Sequence, residues 1–325
     1  MQTAVIGGGS WGTALTKLLS DNGHTIAWWV RQQSIADYIS HHKKNPAYLT
    51  HAPLHTDKIE ISTNLEAVLA SSEIIFIAVP AAFINDVFNG TSLHDKTVVS
   101  AVKGLIPENG ALVSDYLHKK FLLHEKNIGM LSGPCHSEEV AMKKLSYVTL
   151  ALNDNDNIMQ IKDMLENRYL KVNISHDIKG IGLAAVLKNI YGIAAGIANG
   201  LGYGDNFRSV LIANSIREMD YVLKAWTGNH RNILDSVYTG DLLVTAYSGL
   251  SRNWMLGNMI GKGQPAKSAL LKLYMVAEGY YAVGPVKNIV KKLHCKTPVI
   301  NAVYDIVVQN IPPENVFKIL SKNIS

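Results

Sequence analysis

Cysteine is scarce in this chain: two residues, Cys135 and Cys295, in 325. Two isolated thiols provide no disulfide framework and no zinc spacing, so a reducing, cytoplasmic setting is expected and no metal site is implied. Charge is sparse as well, with 18% charged residues and a net charge of +5. No Lys/Arg-rich block marks a nucleic-acid face, and a mild positive excess suits an anionic small molecule better. No internal repeat or low-complexity stretch is present. The expected first strand begins at residue 3, which leaves no room for a signal peptide and makes none expected. One long apolar run, residues 181–203, could imitate a membrane span, and it carries Gly192, Gly196 and Gly200 at four-residue spacing. Lys188 and Asn189 lie inside it, and a charge within a span is expensive. The expectation is a buried helix of a soluble protein, with no stable membrane insertion. At 47% hydrophobic content over 325 residues, two domains are the prior.

What is present begins with Gly7-Gly8-Gly9-Ser10-Trp11-Gly12. The β-rich Thr3-Ala4-Val5-Ile6 precedes it, and Thr13-Ala14-Leu15 opens an apolar helical pattern after it. Gly7, Gly9 and Gly12 fall in the G-x-G-x-x-G register of a dinucleotide turn. The first glycine makes the turn, the second lets backbone N–H groups approach a pyrophosphate, and the third lets helix pack on strand. The helix N-terminus adds orphan N–H groups and dipole for the anion. Such a motif can be a plain loop, but its place between strand and helix favours the binding reading. Strand two, read over residues 24–30, ends at Arg31. An acidic residue in that neighbourhood would take a ribose 2′-hydroxyl, whereas arginine suits a 2′-phosphate. Arg31 therefore points to NADP(H) in preference to NAD(H), unless it is a solvated surface residue.

Further strands are expected at residues 59–61, 73–79, 96–102, 127–131, 146–152 and 169–174. The continuous apolar run at 73–79 suits a strand covered on both faces. Lys103-Gly104 and Ser132-Gly133-Pro134-Cys135-His136 follow carboxyl ends of strands, where ligands of open α/β sheets bind. Cys135 and His136 are neighbours in sequence and are not read as a nucleophile pair. The polar stretch 153–157 is read as a turn and helix start, not a calcium loop. His41-His42-Lys43-Lys44 reads as a solvated helix end. From about residue 178 strand signals cease. The fold class expected is α/β: an N-terminal Rossmann-type doubly wound sheet over 1–178, followed by a mostly α-helical domain over 179–325.

Between residues 181 and 204 Lys188 is the sole charged residue. A desolvated lysine has a lowered pKa and becomes a usable proton donor and acceptor; a lysine at a helix edge instead snorkels to water. The residues alone leave both open. Gly240-Asp241 offers a carboxylate beside a glycine turn, and Ser251-Arg252-Asn253 a planar cation beside two neutral donors, a suitable arrangement for phosphate. Either could be an ordinary cap or surface pair. Glu278-Gly279 opens a helix near Val276, where an acidic residue commonly only complements the dipole.

Together these pieces resemble the NAD(P)-dependent glycerol-3-phosphate dehydrogenases of bacterial type. The resemblance rests on Gly-Gly-Gly-Ser-Trp-Gly-Thr-Ala-Leu at 7–15, Asn-Pro-Ala-Tyr-Leu at 45–49, Val-Lys-Gly at 102–104 and Ser-Gly-Pro at 132–134. It continues through Leu-Lys-Asn-Ile at 187–190, Ala-Ala-Gly-Ile at 194–197, Gly-Asp-Leu at 240–242, Ser-Arg-Asn at 251–253 and Glu-Gly at 278–279. The resemblance implies reversible hydride transfer between NAD(P)H and dihydroxyacetone phosphate, giving sn-glycerol 3-phosphate for phospholipid synthesis, by a cytoplasmic homodimer. It implies that Lys188 is the proton donor or acceptor and that Lys103 and Asp241 orient the reacting oxygens. Arg252 and Asn253 would hold the substrate phosphate, with Ser251, Gly133 and Cys135 nearby. Ser10, Trp11, Arg31, Ser137, Val276 and Glu278 would meet the cofactor, beside Gly7, Gly9, Gly12, Lys103 and Arg252. The chain departs from the family pattern at Cys135-His136, Trp254-Met255, Ala246-Tyr247 and Val79-Pro80-Ala81. Two other readings are a related Rossmann-plus-helical reductase of another small acid and a non-catalytic nucleotide-sensing protein; the intact Lys103, Lys188 and Asp241 speak against the second.

Overall fold

The computed structural model describes residues 2–153, 157–273 and 275–325. The central part of the polar stretch read as a turn at 153–157 lies outside the described residues. Eight strands form one sheet: β1 (Thr3–Ile6), β2 (Ile26–Trp29), β3 (Ile59–Ser62), β4 (Ile74–Ile77), β5 (Thr97–Ser100), β6 (Ile128–Ser132), β7 (Ser146–Leu152) and β8 (Leu170–Ser175). Their order is β3-β2-β1-β4-β5-β6-β7-β8. All neighbours are parallel except β6 and β7, which pair antiparallel with Met130 opposite Ala151. The run β3 to β6 has the strand order of a dinucleotide-binding sheet, and its direction of growth reverses between β1 and β4.

Every residue of β1, β2, β4, β5 and β6 is buried. Successive strand residues face opposite sides, so full burial requires cover on both faces, which is why these segments read as unbroken apolar runs. The helices of this part are α1 (Ser10–Asp21), α2 (Gln33–His42), α3 (Leu65–Ala70), α4 (Ile84–Val87), α5 (Val113–Phe121), α6 (Ser137–Ala141) and α7 (Ile158–Leu165). Trp28, Phe76, Leu15, Leu18 and Val99 are among the residues of its core.

The remaining helices are α8 (Ile178–Gly200), α9 (Asp205–Thr227), α10 (Asp241–Tyr247), α11 (Arg252–Gly261), α12 (Ala266–Lys272), α13 (Glu278–Lys292), α14 (Pro298–Val307) and α15 (Pro313–Asn323). The chain forms two compact units, Met1–Val102 with Val113–Ile178, and Lys103–Leu112 with Lys179–Ser325. The segment Lys103–Leu112, closed on itself by a bridge between Leu105 and Leu112, thus groups with the helices, which a single cut at residue 178 does not capture.

Helix α8 is long and apolar enough to cross a membrane by length and composition, but its apolar window is 94% buried within the protein. Its glycines meet another helix of the same unit. A Cβ on Gly196 would come within 2.1 Å of the Trp254 carbonyl oxygen, and one on Gly257 within 2.1 Å of the Ile193 carbonyl oxygen. The small-residue spacing is therefore the seam on which α8 and α11 bring their backbones together.

Candidate active site

Two glycines of the turn in the first unit, Gly7 and Gly12, have distinct steric reasons. Gly7 has φ +124°, and a Cβ there would lie 2.6 Å from the Ala78 carbonyl oxygen. A Cβ on Gly12 would lie 2.0 Å from the Gly7 carbonyl oxygen, so α1 packs against the turn only with glycine at this position. A Cβ on Gly9 would meet no atom within 4 Å. Gly9 is the residue before α1, and the first turn of that helix carries no acidic residue. An open face at the second glycine, above an uncompensated helix N-terminus, fits the pyrophosphate of a dinucleotide.

Ser10 and Trp11 begin α1, and Arg31 is exposed just past β2. Gly133 follows β6 with φ +136°, where a Cβ would lie 2.8 Å from the Tyr147 carbonyl oxygen. The Cys135 thiol donates to the Gly133 carbonyl oxygen at 3.2 Å, and Ser137 Oγ donates to Glu138 Oε2 at 3.0 Å. These residues cluster at carboxyl ends of strands within the first unit.

The second unit gathers Lys188, Lys103 and Asp241, the three residues to which the resemblance assigns proton transfer and orientation of the reacting oxygens. One π-helical turn (Ser236–Gly240) leads directly into α10 and delivers Asp241, which is 1% exposed. Lys103 Nζ donates to Asp241 Oδ2 at 3.2 Å, and Lys188 Nζ, from the middle of α8, donates to Asp241 Oδ1. Burial alone pushes the Asp241 carboxyl upward, but the ammoniums of Lys103 and Lys188 outweigh it and hold the group below the ordinary aspartate range. The cluster is two cations on one carboxylate, net +1. Its members differ in access: the Lys188 side chain is 7% exposed and that of Lys103 21%. Lys188 thus neither snorkels to water nor stands alone in apolar surroundings; α10 supplies a counter-charge that its own helix lacks.

A chain of amides supports this cluster. Asn189 Nδ2 donates to the Lys103 carbonyl oxygen at 2.9 Å. Asn253 Nδ2 donates to Asn189 Oδ1 at 3.0 Å, and the Gly279 N–H donates to Asn253 Oδ1 at 3.0 Å. Asn253 is consequently a strut between α8, α11 and the start of α13. Ser251 caps α11 by accepting from the Trp254 N–H at 3.2 Å, which places Arg252 as the first helical residue. Val276 is partly buried and Glu278 opens α13. No residue spacing points to Asn189; its polarity beside Lys188 in an otherwise apolar helix is the signal that could have found it.

Residues 2–158 match the family described as NAD-dependent glycerol-3-phosphate dehydrogenase N-terminus, and residues 177–318 match its C-terminus. A protein of Exiguobacterium named glycerol-3-phosphate dehydrogenase (NAD(P)+) is 34% identical over 98% of this chain and 94% of its own length. One of the same name from Staphylococcus epidermidis is 33% identical over 95% of this chain and 94% of its own. The crystal structure of glycerol-3-phosphate dehydrogenase from Coxiella burnetii superposes with a TM-score of 0.91 at 26% identity, covering 98% of both chains. A D-mandelate dehydrogenase structure, at TM-score 0.63 and 14% identity over 97% of this chain and 100% of its own, shares the fold.

Proposed function

The chain belongs to the NAD-dependent glycerol-3-phosphate dehydrogenase family, whose reaction interconverts dihydroxyacetone phosphate and glycerol 3-phosphate for glycerophospholipid synthesis, and on that premise we propose how its own residues carry the chemistry. The observation that carries the proposal is the buried Lys188–Asp241–Lys103 cluster. A bound NAD(P)H supplies the hydride that reduces the ketone carbon. As that carbon is reduced its oxygen gathers negative charge, and Lys188 Nζ gives it a proton, becoming a neutral amine; oxidation of the alcohol runs the same transfer backwards. Asp241 keeps Lys188 protonated and aimed before the transfer. Lys103, the more open ammonium, stabilises the developing oxyanion, an interaction stronger in the transition state than in the ground state. Arg252, in the first turn of α11, takes the substrate phosphate with a planar fork of donors, with Asn253 beside it.

The first unit is the NAD(P)-binding domain in this reading. Gly7, Gly9, Gly12, Ser10 and Trp11 take the pyrophosphate side, Arg31 takes a 2′-phosphate and so favours NADP(H), and Ser137 contributes a further contact. We infer a cytoplasmic homodimer by analogy with the family, and two cysteines outside any disulfide framework suit that compartment. The deciding experiment is oxidation of NADPH and NADH with dihydroxyacetone phosphate as acceptor, in the wild type and in Lys188→Ala. We expect turnover in the wild type and its loss in the variant, with NADPH binding retained. Near-normal turnover in Lys188→Ala would overturn the assignment.

A further inference from the structure

Asn45, in the Asn-Pro-Ala-Tyr-Leu stretch and outside the site residues above, is 0% exposed. Its amide is saturated. Nδ2 donates to the Gly8 carbonyl oxygen at 3.0 Å and to Thr13 Oγ1 at 2.9 Å. Oδ1 accepts from the Ala47 N–H at 2.9 Å and the Tyr48 N–H at 3.1 Å. One end of the side chain thus closes its own loop, and the other end grips the glycine turn. A second grip comes from beneath: the indole N–H of Trp28, a fully buried residue of β2, donates to the Gly7 carbonyl oxygen at 2.9 Å.

These two bonds act on consecutive peptide planes. In a trans peptide the C=O and the following N–H point in opposite directions. Holding the Gly7 carbonyl on Trp28 turns the Gly8 N–H away from the β2 side. Holding the Gly8 carbonyl on Asn45 turns the Gly9 N–H away from the loop. Gly9 is also the glycine at which an added Cβ would meet nothing within 4 Å, so its surroundings are open. Successive N–H groups fixed in this way form an anion-binding concavity that needs no reorganisation when a ligand arrives.

We propose that Asn45 and Trp28 are positioning residues of the cofactor turn, clamping the Gly8 and Gly7 carbonyls so that the following backbone N–H groups are presented to the pyrophosphate. This rests on reading the turn as the NAD(P)-binding element. The ligand class is a dinucleotide or any fragment that keeps the pyrophosphate.

The test uses the full-length protein and fluorescence titration of NADPH, NADH and ADP-ribose. Asn45→Asp keeps both loop acceptors and removes both donors; Trp28→Phe keeps a ring in the core, removes the indole N–H and adds no charge. Each is expected to weaken all three ligands about tenfold, the scale of a hydrogen bond to a charged group, with kcat at saturating cofactor and the KM for dihydroxyacetone phosphate unchanged. Thr13→Val removes the other Asn45 contact and leaves the Gly8 clamp, so its affinities should match the wild type. Folded variants of Asn45 and Trp28 that bind all three ligands within twofold of the wild type would overturn the proposal. A Thr13→Val loss equal to that of Asn45→Asp would also overturn it, by showing general loosening of the loop. Should Asn45→Asp fail to fold, Trp28→Phe decides. Wild type that binds none of the three ligands removes the cofactor reading itself, an outcome distinct from equal binding by wild type and variants.

Discussion

Replacing Asp241 with asparagine removes one negative charge from between two ammoniums and leaves the volume almost unchanged. At the 3.2 Å separation from Lys103 Nζ, a unit pair at an effective dielectric near 20 is worth about 5 kcal/mol. The Lys188 pair is of similar size, so the gross attraction is on the order of 10 kcal/mol. Desolvation of three charges offsets much of that, and breaking a buried pair from one side costs about 3–5 kcal/mol in practice. We expect Asp241→Asn to lower the unfolding free energy in urea at pH 7 by about that amount. Lys188, left without its counter-charge at 7% side-chain exposure, is held less readily as the ammonium and is no longer aimed, and turnover should fall by roughly a hundredfold or more. The combination Asp241→Asn with Lys188→Met should be more stable than Asp241→Asn alone, because it also removes the unpaired buried ammonium. The sign with pH follows from the lowered carboxyl: its stabilisation is complete above the ordinary aspartate range, near pH 4, and is lost as pH falls through the lower folded value. Wild type should therefore lose more stability than Asp241→Asn in acid. A loss under about 1 kcal/mol with normal turnover, or a double variant losing the full sum of the single effects, would refute the reasoning.

Three other outcomes are expected. Glu218 is buried on α9 and accepts from the Val299 and Ile300 N–H groups at 2.9 Å each; the Tyr191 hydroxyl stands beside it without closing a strict hydrogen bond. Burial outweighs these donors and pushes its carboxyl up to about 7, so the folded state holds this proton more tightly than the unfolded chain. Its contribution to stability is greatest below the ordinary value of 4.5 and falls as pH rises toward about 7, by roughly 3 kcal/mol; Glu218→Gln should flatten that part of the urea stability profile, and parallel profiles would contradict it. Gly9→Ala should keep the wild-type Tm while weakening NADPH binding, whereas Gly12→Ala should lower Tm or prevent folding, since its Cβ would sit 2.0 Å from the Gly7 carbonyl oxygen. Arg31→Ala should weaken NADPH more than NADH in the same titration, and equal losses would remove the 2′-phosphate argument.

The glycine turn was legible because its message is local: strand, turn and helix are set by backbone allowances at Gly7, Gly9 and Gly12, all within ten residues. Lys188 was visible as a lone charge in an apolar helix, but its state was not. Its counter-ion lies 53 residues away on α10, behind a π-helical turn that no periodicity announces. Asn45 and Trp28 were equally silent about what they hold. An asparagine followed by proline reads as a turn, and only the return of its loop to the glycine turn reveals the second half of its bonding. The glycine spacing in α8 was compatible with a membrane span until Gly257 and Gly261 of α11 were found opposite it.

The sequence by itself determined the alternation of buried strands and helices, the dinucleotide turn, the change to a mostly helical second half and the order of the family's motifs, because each is written in backbone propensity and short-range spacing. The tertiary structure decided which charges neutralise one another, which carbonyls are held, and which helix faces meet. Those depend on distances between residues remote in the chain, and a buried charge or carbonyl takes its character from the partner that folding brings within about 3 Å of it.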